Sequence, residues 1–255
     1  MTQPPPPSPP PGHGLLEGKT VVVTAAAGTG IGFATAERCG LEGARVLVSD
    51  RHEQRLAEAA RRLDTASIPC DVTDLDDVTR LFADAERELG VIDVVVNNAG
   101  LGGMAEVVEM TDDQWNSVLD VTLNGTFRCT RAALRHMLPR GTGVIVNNAS
   151  VLGWRAQAGQ AHYAAAKAGV MALTRCTAIE AAPSGVRVNA VAPSLAMHEH
   201  LAKASSDELI EELVDREAYG RAAEPWEVAT VVAFLASDYS TYMTGEVVSV
   251  SSQHA

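Results

Sequence analysis

A tyrosine and a lysine stand four residues apart in Tyr163-Ala-Ala-Ala-Lys167, and Ser150 precedes the tyrosine by 13 positions. Residues i and i+4 of a helix share a face, so the phenol and the ammonium would lie one turn apart. A free tyrosine titrates at about pH 10 and is a poor proton carrier at neutrality. A lysine one turn away, joined by a second positive charge at the site, favours the phenolate and is expected to bring its pKa toward working pH. A YxxxK pair by itself is common on helix surfaces. Ser150 gives it weight, because it closes the β-branched run Val144–Asn148 and could hydrogen-bond the same substrate oxygen. The chemistry these three residues describe is proton transfer at an oxygen.

Such side chains need a scaffold, and the chain supplies a regular one. From Lys19 onward, short apolar runs alternate with amphipathic segments of helical length. Strands are expected at Thr20–Thr24, Arg45–Ser49, Ser67–Pro69, Val91–Asn97, Val144–Asn148, Arg187–Ala192 and Val247–Val250. Helices are expected at Ile31–Leu41, Glu53–Leu63, Asp74–Leu89, Asp112–Met137, Tyr163–Ala181 and Trp226–Leu235. The alternation predicts right-handed crossovers and a parallel sheet of about seven strands. Near-continuous Val/Ile strands fit a sheet covered by helices on both faces. The expected fold class is α/β, a single doubly wound Rossmann-type domain over residues 15–255. In such a sheet, ligands sit beyond the carboxyl ends of the strands, where the strand order reverses.

The residues after the first strand read Thr24-Ala-Ala-Ala-Gly28-Thr29-Gly30-Ile31-Gly32. Glycines here let the backbone approach a pyrophosphate, and the following helix N-terminus offers N–H groups. No Gly-Lys-Ser/Thr follows, which excludes a P-loop. Asp50, 20 residues after Gly30 at the end of the second strand, suits the adenosine ribose hydroxyls and repels a 2′-phosphate. Arg51 is the counter-signal, since a guanidinium could hold that phosphate. The glycine loop adds no basic residue, so NAD is favoured, with NADP possible. A helix N-cap before Glu53 is the structural alternative for Asp50.

Composition narrows the field. The chain has 255 residues, a formal charge of −12 and 46% hydrophobic residues. The acidic balance argues against a nucleic-acid partner, and no apolar run is long enough for a membrane span. Cys39, Cys70, Cys129 and Cys176 lie too far apart for a CxxC pair and read as reduced core thiols of a cytoplasmic protein. His198 and His200 lack an obvious third ligand, so no metal is expected. The start, MTQPPPPSPPPGHG, has no signal-peptide pattern and reads as a disordered tail over residues 1–14.

Taken together, the glycine loop, Asp71-Val72, Asn97-Asn98-Ala99-Gly100, Ser150, YxxxK at 163–167 and the late PWEVATVVAFLASD…TGE resemble the short-chain dehydrogenase/reductase family. The resemblance runs from about Leu16 to the C-terminus. It implies Tyr163 as general acid/base, Lys167 lowering its pKa and holding the nicotinamide ribose, and Ser150 polarising a carbonyl. It also implies cofactor contacts from Thr24, Gly28, Thr29, Gly30, Ile31, Gly32, Asp50, Arg51, Asp71, Val72, Asn98, Ala99, Gly100 and Pro193. The reaction implied is hydride transfer between an alcohol or ketone and a nicotinamide. Four departures stand out. Ala25 replaces the loop's first glycine in a loop one residue longer, and Thr122 stands where an asparagine usually completes the catalytic set. Pro193-Ser194 replaces Pro-Gly, and Ser251-Ser252 replaces a late Gly-Gly.

For substrate, the segment 195–219 falls where the family carries a lid. Leu152, Trp154, Arg155 and His198, with Ser150, are the expected contacts. The wording around Ser150 and Tyr163 is similar to that of actinobacterial members tied to steroid ring breakdown, whose substrate is a bicyclic hydroxy or keto coenzyme A thioester. The alternatives are a 3-oxoacyl-thioester reductase and a catalytically silent NAD-binding sensor. A homo-oligomer is expected, because the helices 112–137 and 163–181 carry more apolar surface than one sheet face needs, and the family resemblance implies a tetramer.

Overall fold

Val21, Val22 and Val23 are completely shielded from solvent on both faces of β1 (Thr20–Thr24), which is why three β-branched residues can follow one another there. The computed structural model describes residues 7–197 and 207–252. β1 pairs with β2 (Arg45–Asp50) on one side and β4 (Val94–Asn97) on the other. With β3 (Ala66–Pro69), β5 (Gly143–Asn148), β6 (Val186–Pro193) and β7 (Val247–Val250), they form one parallel sheet ordered β3-β2-β1-β4-β5-β6-β7. The order reverses between β1 and β4, so their carboxyl ends open the crevice where a ligand belongs.

One face is covered by α1 (Ile31–Leu41), α2 (Glu53–Leu63) and the late helix α8 (Pro225–Ala236), through Ala36, Leu56, Val228 and Val232. The other carries α3 (Leu75–Leu89), α5 (Gly125–Met137) and α6 (Ala161–Ala181), through Leu81, Phe82, Cys129, Ala133 and Ala178. The short α4 (Asp112–Leu119) precedes α5, and α7 (Asp207–Asp215) lies between β6 and α8. The expected doubly wound α/β class is the observed one.

Several local expectations change. β4 begins at Val94 rather than Val91, because the carbonyl of Val91 and the carboxylate of Asp93 are taken by Thr20 (2.6 and 3.0 Å) and clamp the strand entrance. The helix expected over 112–137 is broken by a π-helical segment, Asp120–Asn124, which inserts an extra residue into the turn at Thr122. The described part of the tail expected to be disordered through residue 14 is pinned. Arg38, buried beside Glu42, donates to the carbonyls of Pro10 (2.5 Å) and Pro11 (3.1 Å), while Glu42 accepts from the His13 and Leu15 N–H groups. Cys39, Cys70 and Cys129 are buried free thiols, but Cys176 lies exposed on α6 and is not a core residue.

Candidate active site

The glycine loop is built around a left-handed alanine. Ala25, in place of the family's first glycine, has φ 52°, a conformation that costs a residue with a Cβ on the order of 1 kcal/mol. Its carbonyl is held by Asn98 Nδ2 (3.0 Å). A Cβ on Gly32 would stand 2.4 Å from both that carbonyl oxygen and Asn98 Nδ2, so only glycine fits there. Gly28 also lies at positive φ with open space around it, and Gly30 starts α1 with no side chain capping its first N–H groups. A cleft of about 730 Å³ opens beside Gly28 and Thr29, against Gln54, Arg55 and Arg62 of α2.

The other expected cofactor positions surround this loop in different ways. Asp50 accepts from Ala27 N (3.2 Å) and His52 N (3.0 Å), tying the loop to the end of β2. The alternative role for Asp50 is corrected, because His52 occupies the N-cap of α2. Arg51 is exposed. Thr24 is buried, with its hydroxyl accepting from Asn98 N (3.0 Å) and Ala99 N (3.4 Å), so it fixes the β4 exit from within the sheet. Asn98 Oδ1 accepts from Asn148 Nδ2 (2.9 Å), linking β4 to β5. Asp71 turns the chain by accepting from Thr73, and the carbonyl of Val72 accepts from Arg128. A Cβ on Gly100 would lie 3.4 Å from Lys167 Nζ, so the NNAG turn runs directly past the lysine.

At the far end of the crevice, Ser150 leaves β5 in an extended conformation, and its hydroxyl accepts from Leu152 N (3.2 Å). That hydroxyl lies 3.5 Å from the carbonyl of Pro193, at the end of β6. The Ser150 hydroxyl stands near enough to the Tyr163 phenol to favour its ionised form, so the two residues lie side by side. Lys167 is 2% exposed, and its Nζ donates to the Asn148 carbonyl (2.5 Å) and lies 5.5 Å from the centroid of the Tyr163 ring. Burial lowers the lysine from 10.5 to about 8. For Tyr163, burial pushes the phenol upward, and the Ser150 hydroxyl opposes this without overcoming it. Lys167 gives its hydrogen bond to a backbone carbonyl, so what it does for the phenol acts through its charge and not through a hydrogen bond.

Thr122 keeps one structural task of a side chain at its position. Its hydroxyl accepts from Leu101 N (3.0 Å) and donates to Leu101 O (3.3 Å), anchoring the loop after β4. Its own carbonyl, however, accepts from the Thr126 hydroxyl (2.7 Å). Among the substrate candidates, Leu152 and Arg155 are partly buried and Trp154 is exposed. His198 lies outside the described residues, as does part of the lid segment 195–219. Its described base is tied down by Glu217, a buried acid that accepts from Leu195 N (3.3 Å) and the Ser252 hydroxyl (2.8 Å).

Sequence reasoning missed Glu217 and His162. The signal for His162 was present, since 162, 166, 170, 174 and 178 form the buried i, i+4 stripe of α6. Among the described residues, no group of three or more His, Cys, Asp or Glu side chains could hold a metal ion, and no helix is long and apolar enough to cross a membrane.

These features suit a dinucleotide laid across the carboxyl ends of the strands. The cradle admits no Cβ at Gly32, the α1 N-terminus has no side-chain cap, and Asn148 Oδ1, beside Lys167, is a buried acceptor with no protein partner. Comparison with known proteins agrees. The family model described as Enoyl-(Acyl carrier protein) reductase matches residues 25–252. A (5R,7aS)-5-hydroxy-7a-methyl-1-oxo-2,3,5,6,7,7a-hexahydro-1H-indene-carboxyl-CoA reductase of Mycobacterium tuberculosis is 62% identical over 251 residues, covering 95% of each chain. A 3-oxoacyl-(acyl-carrier-protein) reductase of Staphylococcus aureus is 36% identical over 91% of this chain and 96% of its own. A crystal structure of a short chain dehydrogenase from Mycobacterium smegmatis superposes with a TM-score of 0.87 at 57% identity, covering 98% of both chains. With Ser150, Tyr163 and Lys167 assembled at the end of a seven-stranded parallel sheet, the chain belongs to the short-chain dehydrogenase/reductase family of oxidoreductases.

Proposed function

We propose that this protein interconverts a secondary alcohol and a ketone on a bicyclic hydroxy/keto compound carried as a coenzyme A thioester, with Tyr163 as the general acid/base. The observation that carries the reading is the adjacent Ser150–Tyr163 pair beside the buried Lys167. A bound nicotinamide supplies the hydride or accepts it. The protein's part is positional and electrostatic. Ser150 and Tyr163 present two hydroxyls to one substrate oxygen, Tyr163 gives or takes its proton, and Lys167 keeps a positive charge beneath them. The substrate class is supported by the 62% identity to the indene-carboxyl-CoA reductase, against 36% to the 3-oxoacyl reductase. Turnover of a bicyclic ketone thioester at least about tenfold more efficient than that of acetoacetyl-CoA is the expected result. The reverse order would favour the linear 3-oxoacyl reading.

NAD is the proposed cofactor. The Asp50 carboxylate sits at the end of β2, tied to Ala27 of the glycine loop, where a 2′-phosphate would meet a like charge. We expect kcat/KM with NADH to exceed that with NADPH by about tenfold or more, and Asp50→Asn to shrink the ratio. Equal values in the wild-type protein would sink the preference.

The proposed assembly is a homotetramer. Phe127 and Leu138 of the α5 region and Ile179 of α6 expose apolar surface beside a groove of about 490 Å³ that also takes in Leu134 and Thr177. Sedimentation velocity at micromolar concentration is expected to give a species near four times 26.8 kDa; a monomer would refute it. Free thiols throughout fit a reducing compartment, and the cytoplasm is the proposed location.

A further inference from the structure

The loop leaving β4 passes Lys167 at Gly100 and runs outward to Met104, whose side chain is 55% exposed. Residues 101–105 thus run as a wall from beside the lysine to the surface. Thr122 holds the loop at Leu101. The turn before α6 holds the other end, where Ala105 N donates to Gly159 O (3.0 Å) and Gln160 Nε2 to Met104 Sδ (2.9 Å). Between these anchors, His162 presses on Gly103. A Cβ at Gly103 would stand 3.2 Å from His162 Nε2, tighter than ordinary contact, and 3.9 Å from Cε1.

His162 is 2% exposed, and its Nδ1 is buried with no hydrogen-bond partner. An unmatched polar atom of this kind is a cost that an apolar side chain of similar shape would not incur. No hydrogen bond of the ring offsets that cost among the described residues. What the ring does provide is a rigid spacer of fixed thickness, one residue from Tyr163, with a glycine, Gly103, opposite it.

We propose that His162 is a positioning residue that sets how far the wall 101–105 stands from Tyr163, and that Gly103 is the seat that receives it. The pair thereby admits a fused-ring acyl substrate. The inference rests on the bicyclic thioester reading above. It concerns the width of the site, whereas that reading concerns its chemistry.

The test is a mutant cycle in the full chain, with a bicyclic ketone coenzyme A thioester and acetoacetyl-CoA as the two substrates. Gly103→Ala drives a methyl against the ring and moves the wall off the distance that fits the fused rings. It is expected to raise KM for the bicyclic substrate about tenfold while kcat stays within about threefold and KM for acetoacetyl-CoA and for the dinucleotide is unchanged. His162→Ala/Gly103→Ala makes room for the methyl and is expected to bring KM back to within about threefold of wild type, a coupling that independent sites do not show. His162→Ala alone is expected to speed hydrogen exchange at the Ala105 amide, with α6 otherwise unchanged. Additive effects in the cycle, equal KM rises for both substrates, or unaltered exchange at Ala105 would overturn the proposal. Failure of the wild-type protein to turn over the bicyclic ketone would instead remove the substrate reading on which it rests.

Discussion

Tyr163→Phe is expected to lower kcat/KM by about a hundred- to ten-thousandfold while leaving dinucleotide affinity and Tm close to wild type. The substitution removes one oxygen and keeps the ring, so the packing of α6 against β5 is preserved. The lost group is the one that meets the Ser150 hydroxyl at the end of β5. Ser150 retains its hydrogen bond from Leu152 N and its place beside the Pro193 carbonyl, so the second hydroxyl remains in position. Any activity that survives then measures what Ser150 and positioning do without a proton carrier. Cofactor absorbance reads the turnover, and fluorescence titration with the dinucleotide reads the binding. A variant that binds the dinucleotide and reduces ketone at the wild-type rate would place the proton transfer elsewhere. A wild-type protein that binds but turns over no ketone or alcohol would support the sensor alternative.

Lys167→Met is expected to abolish most activity and, unusually for a buried substitution, to stabilise the fold at neutral pH. Burial lowers the lysine from 10.5 to about 8, so the folded protein releases this proton in a range where the unfolded chain still holds it. Below about pH 8 the whole cost of the buried charge is present. As pH rises from about 8 to 10.5, the unfolded state binds more protons than the native one, and wild-type stability gains relative to a variant with no titrating group there. A shift of this size corresponds to about 3 kcal/mol. The stability advantage of Lys167→Met over wild type should therefore shrink by about 2–3 kcal/mol between pH 7 and pH 10.5. Urea unfolding at several pH values checks it, and parallel curves for the two proteins would show that Lys167 is not buried as a charge. The cost is tolerated because the ammonium is held by the Asn148 carbonyl, beneath the phenol it serves.

Most of the scaffold was legible in the chain. β1 and β7 run over the residues their apolar patterns predicted, and α1 and α2 match residue for residue, because buried parallel strands and amphipathic helices have distinct periods. What the patterns did not show were the interruptions. The π turn at Asp120–Asn124 leaves the helical apolar period of 112–137 nearly intact, so composition has no means of marking it. Likewise, proline-rich composition predicted a disordered tail, but Arg38 and Glu42 supply hydrogen bonds that a proline backbone can still accept through its carbonyls. Thr24 and Asn98 sit in the right motif, yet their side chains turn inward to tie strand ends together.

By itself, the sequence determined the α/β class and the crevice at the strand ends, and it singled out Ser150, Tyr163 and Lys167, since residue type and period are local properties. It also placed TAAAGTGIG at the turn from β1 into α1. Only the tertiary structure decided that Ala25 takes the left-handed conformation of a missing glycine, and that Lys167 spends its hydrogen bond on Asn148. The same holds for His162, which lies against Gly103. Each of these depends on atoms brought together from distant parts of the chain, and their burial and charge are set by neighbours that no local window contains.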